Sequence, residues 1–416
     1  VLRSHPRPVA LLLNATLADG ALVDVRIEGG TVVDVRPASR AAAELADDVL
    51  DLAGMLLLPA AADAHAHLDK ALTWDAIRPP AGDLGQAIRS YDAYAARLTE
   101  QDVLDRARRA ALALLANGTT AVRSHVNLLE GDDPLLAVRA LVRLREELAG
   151  LMTMQLVALG SERIADATLE AAVLAGVDLV GGAPHLAADP LAELERLVAV
   201  AERLGVGADL HTDEGLHGEP TLGVYADRVA DWPADRVRSA GHCVRLGTLP
   251  EAQRDDIVAR VVRAGVGVIA LPITNLYLQG WEQPVATPRG LTALDALLGA
   301  GAIVGAGGDN VRDPFNPIGR SDPAETAMLL VAAGHLGLEQ AWSLVGDGSR
   351  RVMGLPEAGP VAGLRADLLA IRAGSLGEAI AEGSAERTVI HAGRIVAQST
   401  VSRRIATTAQ FAHQGE

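Results

Sequence analysis

A single cysteine, Cys243, stands in a chain of 416 residues, which excludes an internal disulfide and any zinc site built from several cysteines. A reducing compartment, the cytoplasm, is the expected location. Lysine is equally rare, Lys70 being the only one, and aromatic residues make up 2%. Positive charge is in deficit: 37 Lys and Arg face 53 Asp and Glu, a formal charge of -16 that repels phosphate backbones and anionic lipid. Neither nucleic acid nor a membrane is expected as a partner. Uninterrupted apolar runs of about 18 residues, the length of a membrane span, are lacking too. The apolar stretch 11–13 is too short for a secretory signal peptide.

What is present points to a compact, soluble protein of some size. Hydrophobic residues reach 49% and the charges are spread rather than blocked, as in a compact folded protein. Eight short apolar runs, at 56–65, 120–126, 154–160, 179–183, 207–211, 238–242, 266–271 and 302–306, alternate with stretches of helical period such as 101–116 and 191–204. Eight βα units predict a (β/α)8 TIM-type barrel. The flanks differ: 10–13, 22–27 and 31–35 read as strands, with Gly29-Gly30 as a hairpin turn, and strand-like runs return at 366–371 and 387–396. The two chain ends are expected to meet in a small β-sandwich. The divisions are 1–57 and 358–405 for that sandwich, 58–357 for the barrel, and 406–416 as a frayed tail.

Titratable residues gather at the C-terminal ends of the barrel runs, where such folds build their sites. His65 and His67, two apart on the first strand, point to one face and can reach one ion. His211 and Glu214 follow the fifth run, His242 ends the sixth, and Asp309-Asn310 follows the eighth.

This ordered set resembles the amidohydrolase superfamily, and within it the cytosine deaminase-like branch. The likeness runs through 65–70, 117–125, 155–158, 181–185, 210–214, 275–280 and 308–319. It implies that His65, His67, His211 and Asp309 bind one divalent metal ion, Zn2+ or Fe2+, both of which suit a mixed nitrogen and oxygen set. It also implies Glu214 as proton shuttle beside His242, with Asp309 counted among the catalytic groups. The reaction implied is hydrolytic deamination of a small aminated heterocycle or cyclic amidine, with metal-activated water attacking the amidine carbon. Release of an alkylamine from a triazine or pyrimidine, or opening of a cyclic amide, is the alternative, and a non-catalytic binding relic ranks below both. Binuclear relatives bridge two ions with a lysine on the fourth strand, and this chain has none there.

Substrate contacts are expected at Ser161, Trp281, Asn310 and Phe315. At position 161 cytosine deaminase carries a glutamine that reads the pyrimidine edge. A serine there predicts a larger or differently polar pocket and a poor fit for cytosine. Lys70, His125 and His185 are expected to support the ligands from behind, Lys70 chiefly as an ion-pair partner, with a substrate contact left open by its place beside the ligands. Loop packing serves Trp281 and barrel-mouth packing serves Phe315 equally well. Cys243 is expected to be buried and inert, and His217 to be an ordinary loop residue. A homo-oligomer is left open.

Overall fold

The computed structural model describes residues 5–39, 48–80, 82–283 and 285–405. The segment 406–416, expected as a frayed tail, lies outside them. Six strands precede the barrel: β1 Arg7–Pro8, β2 Leu11–Thr16, β3 Leu22–Glu28, β4 Thr31–Pro37, β5 Val49–Asp51 and β6 Met55–Pro59. Gly29 and Gly30, with φ of 56° and 81°, turn β3 back on β4 as a pair of left-handed residues must. The barrel follows as β7 Ala61–Ala66, β8 Thr119–Asn127, β9 Thr153–Gly160, β10 Leu179–Gly182, β11 Gly207–Thr212, β12 Arg238–His242, β13 Gly267–Ala270 and β14 Val304–Ala306. The chain ends in β15 Leu368–Arg372, β16 Arg387–His391 and β17 Arg394–Ser399.

The barrel strands lie parallel in sequence order from β7 to β14. Closure occurs just past β14, where Ala66 bridges Asp309 in parallel and backbone bonds of 2.9 and 3.0 Å join Asp309 to His65 and His67. The seam of the barrel is therefore built from the residues expected to bind metal. Gly307 permits it: a Cβ there would stand 2.7 Å from the His65 carbonyl oxygen. Helices with clear end signals wrap the outside. Glu100–Ala116 is capped by Thr99, whose side chain accepts from Asp102 N. Pro190–Leu204 starts on Asp189 with proline in its first turn and stops at left-handed Gly205.

Two of the runs divide. Residues 56–65 supply β6 to the terminal sheet and β7 to the barrel, with β6 continuing past the expected boundary at 57. Residues 387–396 are the hairpin β16–β17, because Ala392 and Gly393 are left-handed (φ 48° and 73°). Continuous apolarity conceals such breaks. The expected sandwich is one nine-stranded sheet, in which β2 and β6 touch through the single pair Thr16 and Leu56. Val25 and Val32 from one half share an apolar cluster with Leu368 and Ile390 from the other, so the sheet folds across itself at that junction. No helix among the described residues is long and apolar enough to cross a membrane.

Candidate active site

His65 and His67 sit at the end of β7 and His211 at the end of β11, all buried. Nε2 of His211 stands 3.2 Å from Nε2 of His65 and 3.0 Å from Nε2 of His67. Asp309 Oδ1 lies 3.7 Å from the first of these β7 nitrogens and 3.3 Å from the second. Donors around a tetrahedral ion at about 2.05 Å would be spaced about 3.3 Å apart; the three histidines form one group at that spacing, and Asp309 reaches it from the side of His65 and His67. Gly241 makes room, since a Cβ there would meet the His65 ring at 2.8 Å.

Electrostatics agree with a cation at this point. Burial, followed by neighbouring cationic groups, holds all three imidazoles well below the usual histidine value, which leaves them neutral with a lone pair to donate. Burial and then Glu214 push Asp309 well above the usual carboxylate value. Both its oxygens are buried without a hydrogen-bond partner. An acceptor pair so isolated is costly unless a cation meets it, and the donor set fits a divalent ion.

Glu214 follows β11 and is buried. Its Oε1 lies 3.6 Å from His242 Nδ1 and its Oε2 3.7 Å from His185 Nε2. Burial alone would raise this carboxyl; His242 and His185 outweigh it and bring the net value below the usual one. Burial lowers His242 to about 4, so the ring is neutral. Asn275 Nδ2 stands 3.0 Å from His242 Nδ1, and His242 Nε2 is buried with no partner. With the amide as donor, Nε2 carries the ring hydrogen and offers it toward the centre.

A cavity of about 570 Å3 opens above these groups, with His67, His211, Glu214, His242 and Asp309 on its wall. Asn310, Phe315, Ser161 and Lys70 line it as well. Ser161 is exposed toward the mouth, its carbonyl accepting from Arg196. Trp281 lies outside the lining. It is half exposed, donates through Nε1 to the Tyr277 carbonyl at 2.7 Å and covers Gly82, so it serves as a loop packing residue. The expected ion-pair role of Lys70 is not seen, because no ion pair joins it to a described residue. His185 braces both sides of the site, with Nδ1 3.2 Å from the His211 carbonyl oxygen. His125 packs beneath, its ring 4.1 Å from that of His65. Cys243 is fully buried, burial raising its thiol far above the usual value, and His217 is exposed.

Several contributors escape a reading of the sequence. Asn275 gives the motif signal without its role. Tyr91, Leu84 and Ile88 lie on a helix, Leu84–Ala95, whose one face lines the cavity. Their spacing marks a helix but not what it covers. Below the ligands, Arg123 donates to Asp209 Oδ2 at 2.6 Å and Ser239 Oγ at 2.9 Å, a buried pair that stiffens the barrel interior.

Comparison with known proteins agrees with this geometry. The model of the Amidohydrolase family matches residues 84–397, beginning after His65 and His67. A pterin deaminase from Rhizobium rhizogenes is 31% identical over 388 residues, covering 90% of this chain and 88% of the relative. The crystal structure of 5-methylcytosine deaminase from Klebsiella pneumoniae superimposes with a TM-score of 0.86 at 27% identity, covering 95% of this chain and 99% of that one. N-isopropylammelide isopropylaminohydrolase from Burkholderia multivorans does so at 0.79 and 31%, covering 94% and 98%. Likeness of this extent covers nine-tenths or more of the chain, and the chain belongs to the amidohydrolase family.

Proposed function

We propose that this protein is a hydrolytic deaminase of aminated heterocycles larger than cytosine, using one divalent ion, Zn2+ or Fe2+, per chain. The observation that carries the reading is the convergence of three imidazole Nε2 atoms and the Asp309 carboxylate at the floor of a 570 Å3 cavity. When bound there, the ion supplies an activated water for attack on the amidine carbon. Glu214 moves a proton from the attacking water to the ring nitrogen, so that negative charge need not build up on the ring. His242 donates from Nε2 toward the oxygen that forms. Leu128, Leu159 and Leu186 exclude water along the wall above.

The cavity and the 31% likeness to a pterin deaminase support a fused aminopyrimidine such as 2-aminopteridin-4-one as the substrate. Cytosine is expected to be a poor substrate. The apolar wall also suits an alkyl group, which keeps alkylamine release as the second reading. Purified protein should carry close to one equivalent of metal. Assayed on aminopteridines, aminopyrimidines and N-alkylaminotriazines, it should release ammonia from the first class fastest. Release of alkylamine alone, or cytosine turnover as efficient as that of the fused rings, would overturn the proposal.

A further inference from the structure

Lys70 is the only lysine of the sequence, and the fold places it in the cavity wall, three residues beyond His67. It is 5% exposed. Its Nζ lies 4.7 Å from the ring centre of Phe315 and 5.6 Å from that of Tyr91. Among the described residues no carboxylate pairs with it and no side-chain hydrogen bond engages the ammonium. An ammonium has three protons to donate and is strongly hydrated in water. Asp69, Asp313 and Asp309 lie near enough to feel its charge without bonding it, so with the two aromatic faces they offset part of that lost hydration and leave its three protons unspent. The unspent donors therefore face the cavity.

The barrel order says what meets them. β7, which leads to Lys70, and β11, which leads to Glu214, are four positions apart among eight strands, on opposite sides of the barrel. A planar ring held at the metal centre with one nitrogen toward Glu214 turns its far edge toward Lys70. An ammonium accepts nothing, so the group on that edge must be an acceptor rather than an amino group. We propose that Lys70 is a specificity-determining residue that hydrogen-bonds an oxo oxygen on the substrate ring and so selects oxo-bearing aminoheterocycles over their deoxo analogues. This rests on the deaminase reading above.

The test compares wild type, Lys70→Met and Lys70→Gln on 2-aminopteridin-4-one and on 2-aminopteridine, which lacks the oxo oxygen. Binding of each ring is also followed by calorimetric titration, and metal content is measured in all three proteins. Lys70→Met should lower kcat/KM for the oxo substrate by about 10^2-fold and weaken its binding. For the deoxo ring the change should stay within about threefold, with metal content unaltered. Lys70→Gln, which keeps a donor, should recover part of the loss. Equal losses on both rings, no loss on either, or wild-type binding that ignores the oxo group would each overturn the assignment. Absence of ammonia release with oxo-selective binding intact and Lys70-dependent would instead count against the deaminase reading alone.

Discussion

Glu214 and Asp309 on the cavity wall and Asn275 buried behind His242 divide the labour in ways that substitution can separate. Glu214 touches His242 and His185 but stands outside the four-atom donor set, so Glu214→Gln should lower kcat by about 10^2- to 10^4-fold while metal content stays near wild type. Metal loss with activity regained on resupply would make Glu214 a ligand instead. Asp309→Asn should weaken both metal retention and turnover, because it removes the one anion of the set. Asn275 acts through His242: with Asn275→Leu, Nδ1 loses its partner and the hydrogen is free to leave Nε2. A kcat loss on the order of 10- to 100-fold is expected, with KM and metal content little changed. An unchanged kcat would remove Asn275 from the argument. Strain accompanies this arrangement: His242 and Asp309 hold left-handed φ values of 68° and 56°, which non-glycine residues adopt only where surrounding bonds over-determine them.

The loop after β11 has its own anchor. Asp213, left-handed at φ 50°, accepts from Thr221 N at 2.8 Å, from Thr221 Oγ1 at 2.8 Å and from Leu222 N at 3.0 Å. These bonds close the segment that carries Glu214. Asp213→Ala leaves two buried backbone donors without an acceptor and should cost about 1–3 kcal/mol. Because its neighbour is Glu214, kcat should fall as well, and thermal unfolding beside steady-state kinetics would read both. A stable variant with normal kcat would show that the loop holds its shape without this carboxylate. Across the mouth, Arg163 pairs with Glu130 at 2.7 Å and with Asp92 of the helix Leu84–Ala95 at 3.8 Å. These groups are more than half exposed, so they orient the rim without adding much stability.

At the scale of the molecule, buried ion pairs fasten the terminal sheet. Arg387 of β16 donates to the Asn117 carbonyl at 2.6 Å and pairs with Asp322 at 3.0 Å, tying that strand to two barrel loops. Asp367, fully buried, pairs with Arg350 at 3.1 Å and Arg365 at 2.9 Å and accepts from Ala392 N. Burial alone would raise this carboxyl, but His391, Ala392 N and Arg365 outweigh it and hold it well below the usual range. A depressed carboxylate contributes stability above its unfolded pKa, about 3.9, and loses it as pH falls toward the folded value. Asp367→Asn leaves buried Arg350 without its counter-charge and should cost about 3–5 kcal/mol at pH 7. The gap to wild type should narrow only below about pH 4. A gap of the same size at pH 3 and pH 7 would show that the charge of Asp367 is not what stabilises the sheet.

Local order along the chain sufficed for the barrel and its strand count, whereas the metal-binding role of the four side chains is implied by the family resemblance. A period of two or 3.6 is a property of neighbouring residues, and His65 and His211 end apolar runs while His67 and Asp309 follow shortly after theirs. The break between β6 and β7 was not legible, because one apolar stretch serves two sheets and only pairing partners distinguish them. The turn inside 387–396 was hidden for a related reason, since Ala392 does not announce a left-handed backbone. Charge partners were decided by tertiary structure alone: Lys70 meets aromatic faces and not a carboxylate, and Trp281 packs on the rim and not in the cavity. Such contacts join residues far apart in sequence, such as Lys70 and Phe315, and their distance is fixed only when the barrel closes at Ala66 and Asp309.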